Sequence, residues 1–421
     1  MMVRRRLKDL GIFKSGLTYS PEDICDEDKG VLVLRSSNIQ DGKLVFNNNV
    51  YVDMDLHEKM LVSKGDILIC SRNGSASLVG KTAIIDRDVK ASWGAFMMLF
   101  RTIYDSSYMN YLLNVSITKS KGLFSTSTIN QLTNSMLGDI FVDVFDTKEE
   151  QEQIGEYLDA KCGDIDNRIA VLEKEQKAYE RLKIAVINRA VTEGLDPEIP
   201  KRDSGLDWLG MIPEHWEVKR LKDLGYLYSG LTGKAGDDFR CDDESLTKPY
   251  VPFTNILNNT RVSKDLLHRV VMSENEDQNK VRKGDLLFLM SSEDYESIAK
   301  SAVVSEDLGE VYLNSFCRGF RPNTPEIVSE FVNYQLYAIK YRDNLRFEAR
   351  GFTRINIKID KISSMTVTLP PYSEQKAIVE YLDTKCATID AKIGNIAKRI
   401  EAYKRLKRAL INEVVTGKRA V

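Results

Sequence analysis

Histidine is scarce in this chain: three occur among 421 residues, at His57, His215 and His268, far apart in sequence. That leaves little material for a histidine-based triad or a metal centre. The six cysteines, at 25, 70, 162, 241, 317 and 386, form no Cys-x-x-Cys pair. Their scatter argues against a zinc site and a disulfide framework, and it fits a reducing compartment. Net charge is also missing, because 60 Lys+Arg stand against 62 Asp+Glu for a formal -2. A nucleic-acid partner would therefore have to meet a basic surface that is local or shared with another subunit. No run approaches the ~18 apolar residues of a membrane span, and the basic start, Arg4-Arg5-Arg6, has no apolar stretch behind it. The expectation is a cytoplasmic protein with no membrane segment. What remains is an ordinary globular composition, 43% hydrophobic and 29% charged. The length suits roughly two to four domains.

What is present is a duplication. The segment from Glu150-Gln151 through Glu156-Tyr157-Leu158-Asp159 to Lys161-Cys162 returns as Glu374-Gln375, Glu380-Tyr381-Leu382-Asp383 and Lys385-Cys386. The match runs without a gap to Arg181-Leu182-Lys183 and Arg405-Leu406-Lys407, at a constant offset of 224. Upstream, Arg6-Leu7-Lys8-Asp9-Leu10-Gly11 with Ser15-Gly16-Leu17-Thr18 matches Arg220-Leu221-Lys222-Asp223-Leu224-Gly225 with Ser229-Gly230-Leu231-Thr232. Between these anchors only islands agree. They are Ser37-Asn38-Ile39 with Thr254-Asn255-Ile256, Lys64-Gly65-Asp66 with Lys283-Gly284-Asp285, and Lys81-Thr82-Ala83 with Lys300-Ser301-Ala302.

The shared segments carry apolar residues at steps of three and four without an internal proline: Ile154, Leu158, Ile165, Ile169, Leu172 and Leu182, then Ile378, Leu382, Ile389, Ile393, Ile396 and Leu406. Such a narrow stripe predicts two coiled-coil helices, each on the order of 60 Å long. Gly194 and Pro197 should end the first, and Pro370-Pro371 should precede the second. The divergent stretches read as β-rich. Lys-Gly-Asp turns feed the buried strands Ile67–Cys70 and Leu286–Leu289, and Lys81–Ile85 and Lys300–Val304 read as further strands. The expected class is α+β: two β-rich mixed domains, 1–146 and 216–369, joined by a central helix at 147–194 and a linker at 195–215. A C-terminal helix at 370–421 completes the chain.

Two motifs imitate catalysis. Val79-Gly80-Lys81-Thr82 ends like a P-loop, but the position five before Gly80 is Ser75, Gly74 is one residue out of register, and a strand rather than a helix should follow. Leu369-Pro370-Pro371-Tyr372 resembles the Pro-Pro-Tyr core of amino-methyltransferases, yet Leu369 has no oxygen to accept from a target amine. It reads better as a proline brake before a helix. Nor does the acidic run Asp237-Asp238 with Asp242-Asp243-Glu244 read as more than a solvated loop. No catalytic or metal-binding residue is assigned.

Polar and basic loops remain as candidates for DNA. Arg35-Ser36-Ser37-Asn38 precedes an Asp41-Gly42 turn, and Arg72-Asn73-Gly74-Ser75 follows a buried strand directly. Arg and Asn can read guanine and adenine edges, while Ser and backbone amides hold phosphate. Lys81 extends this set. In the second half Thr254, Asn255, Lys300, Arg350, Arg354 and Lys358 are the candidates, the last three from a basic series spaced every four residues beginning at Arg342.

The ordered duplicate set, with Leu369-Pro370-Pro371-Tyr372-Ser373-Glu374-Gln375, Ile212-Pro213-Glu214-His215-Trp216 and Arg405-Leu406-Lys407 among its members, resembles the specificity subunit of type I restriction–modification systems. The similarity covers nearly the whole chain. It implies two target recognition domains, pseudo-two-fold in arrangement and joined by long antiparallel helices, each reading one half of a split double-stranded DNA target. It also implies that the helices dock a pair of type I DNA methyltransferase subunits, with a motor and nuclease subunit as a further partner. S-adenosylmethionine and ATP would then belong to those partners and not to this chain. Three departures stand out. The first half lacks a full counterpart of Ile212–Glu217, the first helix lacks the Pro-Pro, and Glu293-Asp294-Tyr295-Glu296 with Ala299 replaces the glycine-bearing loop. The rivals are a methyltransferase or nuclease with built-in recognition and a coiled-coil scaffold.

Overall fold

A computed structural model describes residues 2–421 except Ala76, 125–130, Asp242, Glu244, Glu274 and Asn275, so part of the acidic run lies outside the described residues. The chain forms two compact units, Met1–Glu173 with Ala397–Val421, and Lys174–Ile396.

In the first unit a four-stranded antiparallel sheet has the order Gly11–Ser15, Met97–Thr102, Ile67–Cys70, Thr82–Ile84. The second unit repeats it as Gly225–Ser229, Cys317–Pro322, Leu286–Leu289, Ser301–Val303. Helices Ser106–Phe124 and Ser329–Tyr337 pack on the respective edge strands. The second of these stops at Ala338, and the chain resumes as helix Ile339–Glu348. A smaller sheet lies beside each main one, built on Val31–Leu34 and on Thr247–Val251. Each domain is then closed by its own ends: Met2–Arg6 pairs with Phe141–Phe145, and Glu217–Arg220 with Thr366–Leu369.

The Lys-Gly-Asp turns work the same way in both units. Gly65 and Gly284 adopt φ of 90° and 89°, where a Cβ is strained. The turn thereby tucks the aspartate inward. Asp66 accepts from Ser63 N at 2.7 Å and from Arg101, and Asp285 accepts from Arg282 N at 2.8 Å, from Arg321 and from the Tyr228 hydroxyl. The sequence pattern shows the turn but not these buried ion pairs.

The long helices run Lys148–Glu193 and Tyr372–Val415. Thr147 caps the first, its hydroxyl accepting from Glu150 N, and Gly194 at φ 79° ends it. Glutamine side chains seat each start: Gln151 bonds Asp105 N and the Phe145 carbonyl, and Gln375 bonds Val328 N and the Pro370 carbonyl. Within each unit the helix segments pack antiparallel. Lys407 meets Asp166 at 2.7 Å in the first unit, and Lys183 meets Asp390 at 2.7 Å in the second. Ile154, Leu158, Ile165, Leu172, Ile378, Leu382, Ile389 and Ile396 are buried, and Ile169 and Ile393 are half-buried.

Leu182 and Leu406 correct the expected seam: they are 47% and 52% exposed. The helix turns 3.6 residues per turn, so contact positions alternate between steps of three and four, and from Tyr179 and Tyr403 a step of three lands one place short of the contact face. After Tyr179 and Tyr403 the half-buried residue is Lys183 or Lys407, one place beyond the leucine. These two ion pairs are one pair written twice by the duplication. Lys407→Asp should cost about 1 kcal/mol, and adding Asp166→Lys should restore most of it. A thermal melt of the three variants checks this.

Candidate nucleic-acid interface

At one end of each main sheet the chain builds a turn that presents an aromatic ring. In the first unit Met97 N bonds the Gly94 carbonyl at 2.8 Å, and in the second Cys317 N bonds the Asn314 carbonyl at 3.0 Å. The third residue of each turn is a phenylalanine, Phe96 or Phe316, more than half exposed. The backbone holds it: Phe96 O accepts from Ser71 N and Arg72 N, and Phe316 O from Met290 N. Gly16 and Gly230 explain the repeated Ser-Gly-Leu-Thr anchor. A Cβ on either would sit 2.0 Å from the turn's own carbonyl, Gly94 O or Asn314 O. Gly16→Ala should therefore push this turn aside and destabilise the first unit, which a thermal melt checks.

Each ring carries an arginine. The Arg72 guanidinium lies 5.3 Å from the Phe96 ring centre, and that of Arg354 lies 4.7 Å from Phe316. The two arginines come from unrelated places in their domains, one just after a strand and one from a distant loop. Arg354 also donates to Ser291 Oγ at 3.2 Å.

Around Arg72 the structure gathers several expected residues. Asn73 donates to Ser36 Oγ at 3.2 Å, joining the two candidate loops, and its oxygen accepts from Ser75 N at 3.0 Å. Gly74, Ser75 and Ser37 are exposed nearby in the chain. Lys81 closes the same loop, its carbonyl accepting from Cys70 N at 2.8 Å. Arg35 is half-buried and donates to the Asn48 carbonyl, which fastens its own loop. Gly42, with Asp41, makes the expected turn at positive φ, and it joins Ile39–Gln40 and Lys43–Leu44 as a hairpin.

Asn38 and Asn255 have a different use from the one expected. Both are buried. Asn38 accepts from Arg35 N and donates to the Val45 carbonyl, and Asn255 accepts from Ser263 N and donates to the Ser263 carbonyl. Their polar edges are spent on loop bracing, which leaves no amide edge for a base. Thr254 is exposed on the short helix Phe253–Asn258, and Lys300 reaches the Leu257 carbonyl at that helix. Arg350 and Lys358 are exposed on the loop that carries Arg354.

The basic series is otherwise broken up. Arg342 is buried, donating to the carbonyls of Glu296 and Ile298, and Arg346 pairs with Glu296 and Asp343. Burial holds the Arg342 pKa below its usual value, with Arg346 beside it a smaller cause in the same direction. The P-loop likeness ends at strand Thr82–Ile84, which offers no helix N-terminus to a phosphate. Among the described residues no group of three or more His, Cys, Asp or Glu is placed to hold a metal, and no helix is long and apolar enough to cross a membrane.

A family model for the type I restriction modification DNA specificity domain matches residues 2–178 and again 213–402. The chain belongs to that family, and its place there is that of a recognition subunit without an active site of its own. It is 24% identical over 409 residues to the EcoKI specificity subunit of Escherichia coli K12, covering 91% of this chain and 82% of that protein. The StySPI specificity subunit of Salmonella potsdam is 25% identical over 401 residues, covering 92% and 83%. Among solved structures, a chain from a study of complex assembly and conformational transition of the type I R-M system superposes with a TM-score of 0.71 at 14% identity, covering 99% of this chain and 98% of that one. The HsdS subunit of Thermoanaerobacter tengcongensis gives 0.50 at 15% identity, covering 99% and 97%. At these identities the likeness is one of fold, α+β with duplicated halves.

Proposed function

We propose that each unit reads one half of a split double-stranded DNA target through the sheet end that carries its arginine-on-phenylalanine stack. The observation that carries this reading is the recurrence of the stack at the corresponding turn of both units, with the arginine supplied from different places. A ring under the guanidinium holds the fork flat and lightly hydrated, ready to bind a guanine edge bidentately. Arg350, Lys358 and Lys81 then serve phosphates, and Ser37, Gly74 and Ser75 the backbone. Because the flanking loops differ between units, the two half-sites differ in sequence.

The long helices dock type I DNA methyltransferase subunits in this reading. Leu182 and Leu406 support it, since the duplication places one exposed leucine in each unit and gives two equivalent docking points. S-adenosylmethionine and ATP act in the partner subunits, a motor and nuclease subunit among them, and the chain works in the cytoplasm. Leu182→Asp and Leu406→Asp should each remove one methyltransferase subunit, with the melting temperature unchanged, and the double variant should remove both. Light scattering of the assembled complex reads the stoichiometry.

Methylation mapping of a host with and without this chain tests the reading as a whole. A bipartite adenine-methylated motif should vanish with the chain. Calorimetric binding of S-adenosylmethionine to the isolated chain would favour the rival, an enzyme with built-in recognition.

A further inference from the structure

The loop between Arg350 and Arg354 raises the Phe352 ring entirely into water, at 103% of its reference exposure. This loop is firmly braced. Arg350 and Asn356 exchange backbone hydrogen bonds of 2.9 and 2.8 Å, and the Asn356 side chain donates to the Arg354 carbonyl at 3.1 Å. Gly351 takes φ 143°, and a Cβ there would sit 2.1 Å from Arg354 O. The Tyr295 hydroxyl donates to the Gly351 carbonyl at 3.2 Å, while Arg346 pairs with Glu296 on the same neighbouring loop. Strand Ile355–Asn356 pairs with Ser291–Ser292 and ties the loop to the end of the main sheet.

A braced loop that displays an unpaired aromatic ring calls for an occupant. The charge around it says which. From Arg350 to Lys358 the chain holds three cations and no carboxylate; the neighbouring loop brings Glu293, Asp294 and Glu296, of which Glu296 is paired with Arg346, so it is the Arg350–Lys358 segment itself that offers its cations to a polyanion. Phe347, 72% exposed, and the Phe316 ring under Arg354 continue the alternation of aromatic and basic groups. Apolar rings flanked by arginines enter duplexes by parting a base step, and the phosphates on either side are neutralised as they do so.

We propose that Phe352 is a wedge that enters the base stack of the half-site read by the second unit and opens one base step there. The inference rests on the DNA-reading function proposed above. Arg350 and Lys358 hold the flanking phosphates, while Arg354 stays on Phe316 as the base reader. The parted step adds selectivity for a sequence that unstacks readily, at a position where no hydrogen bond reads a base.

The test uses the full chain assembled with its methyltransferase and a duplex carrying the mapped target. 2-Aminopurine is placed at one position at a time across both half-sites, avoiding the adenines that are methylated. The wild type should show a several-fold fluorescence rise at a single step of one half-site. Phe352→Ala should abolish that rise and weaken specific binding about tenfold. Phe352→Trp should keep both, and Arg350→Ala should weaken binding while keeping the rise. If Phe352→Ala matches the wild type in both readouts while the wild type remains sequence-selective, the wedge is overturned and the DNA-reading function stands. Absence of any sequence selectivity in the wild-type complex would overturn that function, and the wedge with it. Loss of methyltransferase from the Phe352→Ala complex without a change in intrinsic DNA affinity would make the ring a protein contact, which also overturns the wedge.

Discussion

Replacing Asp285 by alanine is expected to destabilise the second unit by about 3–5 kcal/mol, the cost of stranding one member of a buried ion pair. Asp285 is 1% exposed, and its carboxylate receives Arg321 Nη2 at 2.7 Å, the Tyr228 hydroxyl at 2.6 Å and Arg282 N at 2.8 Å. Removing it leaves a guanidinium, a phenol and an amide without their acceptor. A guanidinium remains protonated whether or not a carboxylate faces it, so Arg321 is still a cation in the variant. The matching change, Asp66→Ala, should cost less, about 2–3 kcal/mol, because the Arg101 side chain is 33% exposed and finds water when its partner is gone. Scanning calorimetry of the full chain should show a fall on the order of 10 °C for Asp285→Ala. The double variant Asp285→Leu/Arg321→Met should recover part of it, since the lone charge is gone while Tyr228 and Arg282 N still lack an acceptor. A melt identical to the wild type for Asp285→Ala would contradict this account of the Lys-Gly-Asp turn.

That aspartate illustrates how far the sequence carries. A Lys-Gly-Asp triplet before an apolar run announces a turn and a strand, because glycine conformation and strand burial are local properties. The Asp41-Gly42 turn, the proline brake and the Gly194 stop were readable for the same reason. The inward direction of Asp66 and Asp285 was not, since their arginines lie 35 and 36 residues away across the sheet. Asn38 and Asn255 failed as base readers because an asparagine that braces a loop and one that reads adenine have the same letter and similar neighbours. Leu182 and Leu406 lie three residues past Tyr179 and Tyr403, where the contact face takes a step of four to Lys183 and Lys407, and the duplicated Asp390 and Asp166 opposite those lysines were the available hint. Phe96 and Phe316 belong to no motif that the sequence displays. They precede matched strands at nearly the same offset as the Lys-Gly-Asp turns, which an alignment of the divergent halves by turns alone would have found.

Arg72→Ala should lower affinity for the proper target about 10- to 100-fold, the loss of one bidentate base contact of ~1–3 kcal/mol, and should relax recognition at one position of one half-site. Arg72→Lys should do nearly as badly, because an ammonium neither forks onto guanine nor lies flat on Phe96. Phe96→Ala keeps the charge and removes the support, so it should cost less than Arg72→Ala at the same base pair. Asn73→Ala should act indirectly: its bonds to Ser36 and Ser75 set the loop, so affinity falls without a change of preferred base. Arg354→Ala repeats the Arg72 effect in the other half-site. Arg350→Ala and Lys358→Ala, which remove phosphate partners, should weaken all sequences alike and each reduce the salt dependence by about one ion. Competition binding with duplexes mutated in one half-site at a time separates these patterns. Methylation mapping of the Arg72→Ala strain should show degeneracy confined to that half-site. Equal disturbance of both half-sites by Arg72→Ala would mean that the two units do not read separately, and that the arginine-on-phenylalanine stacks are not the readers.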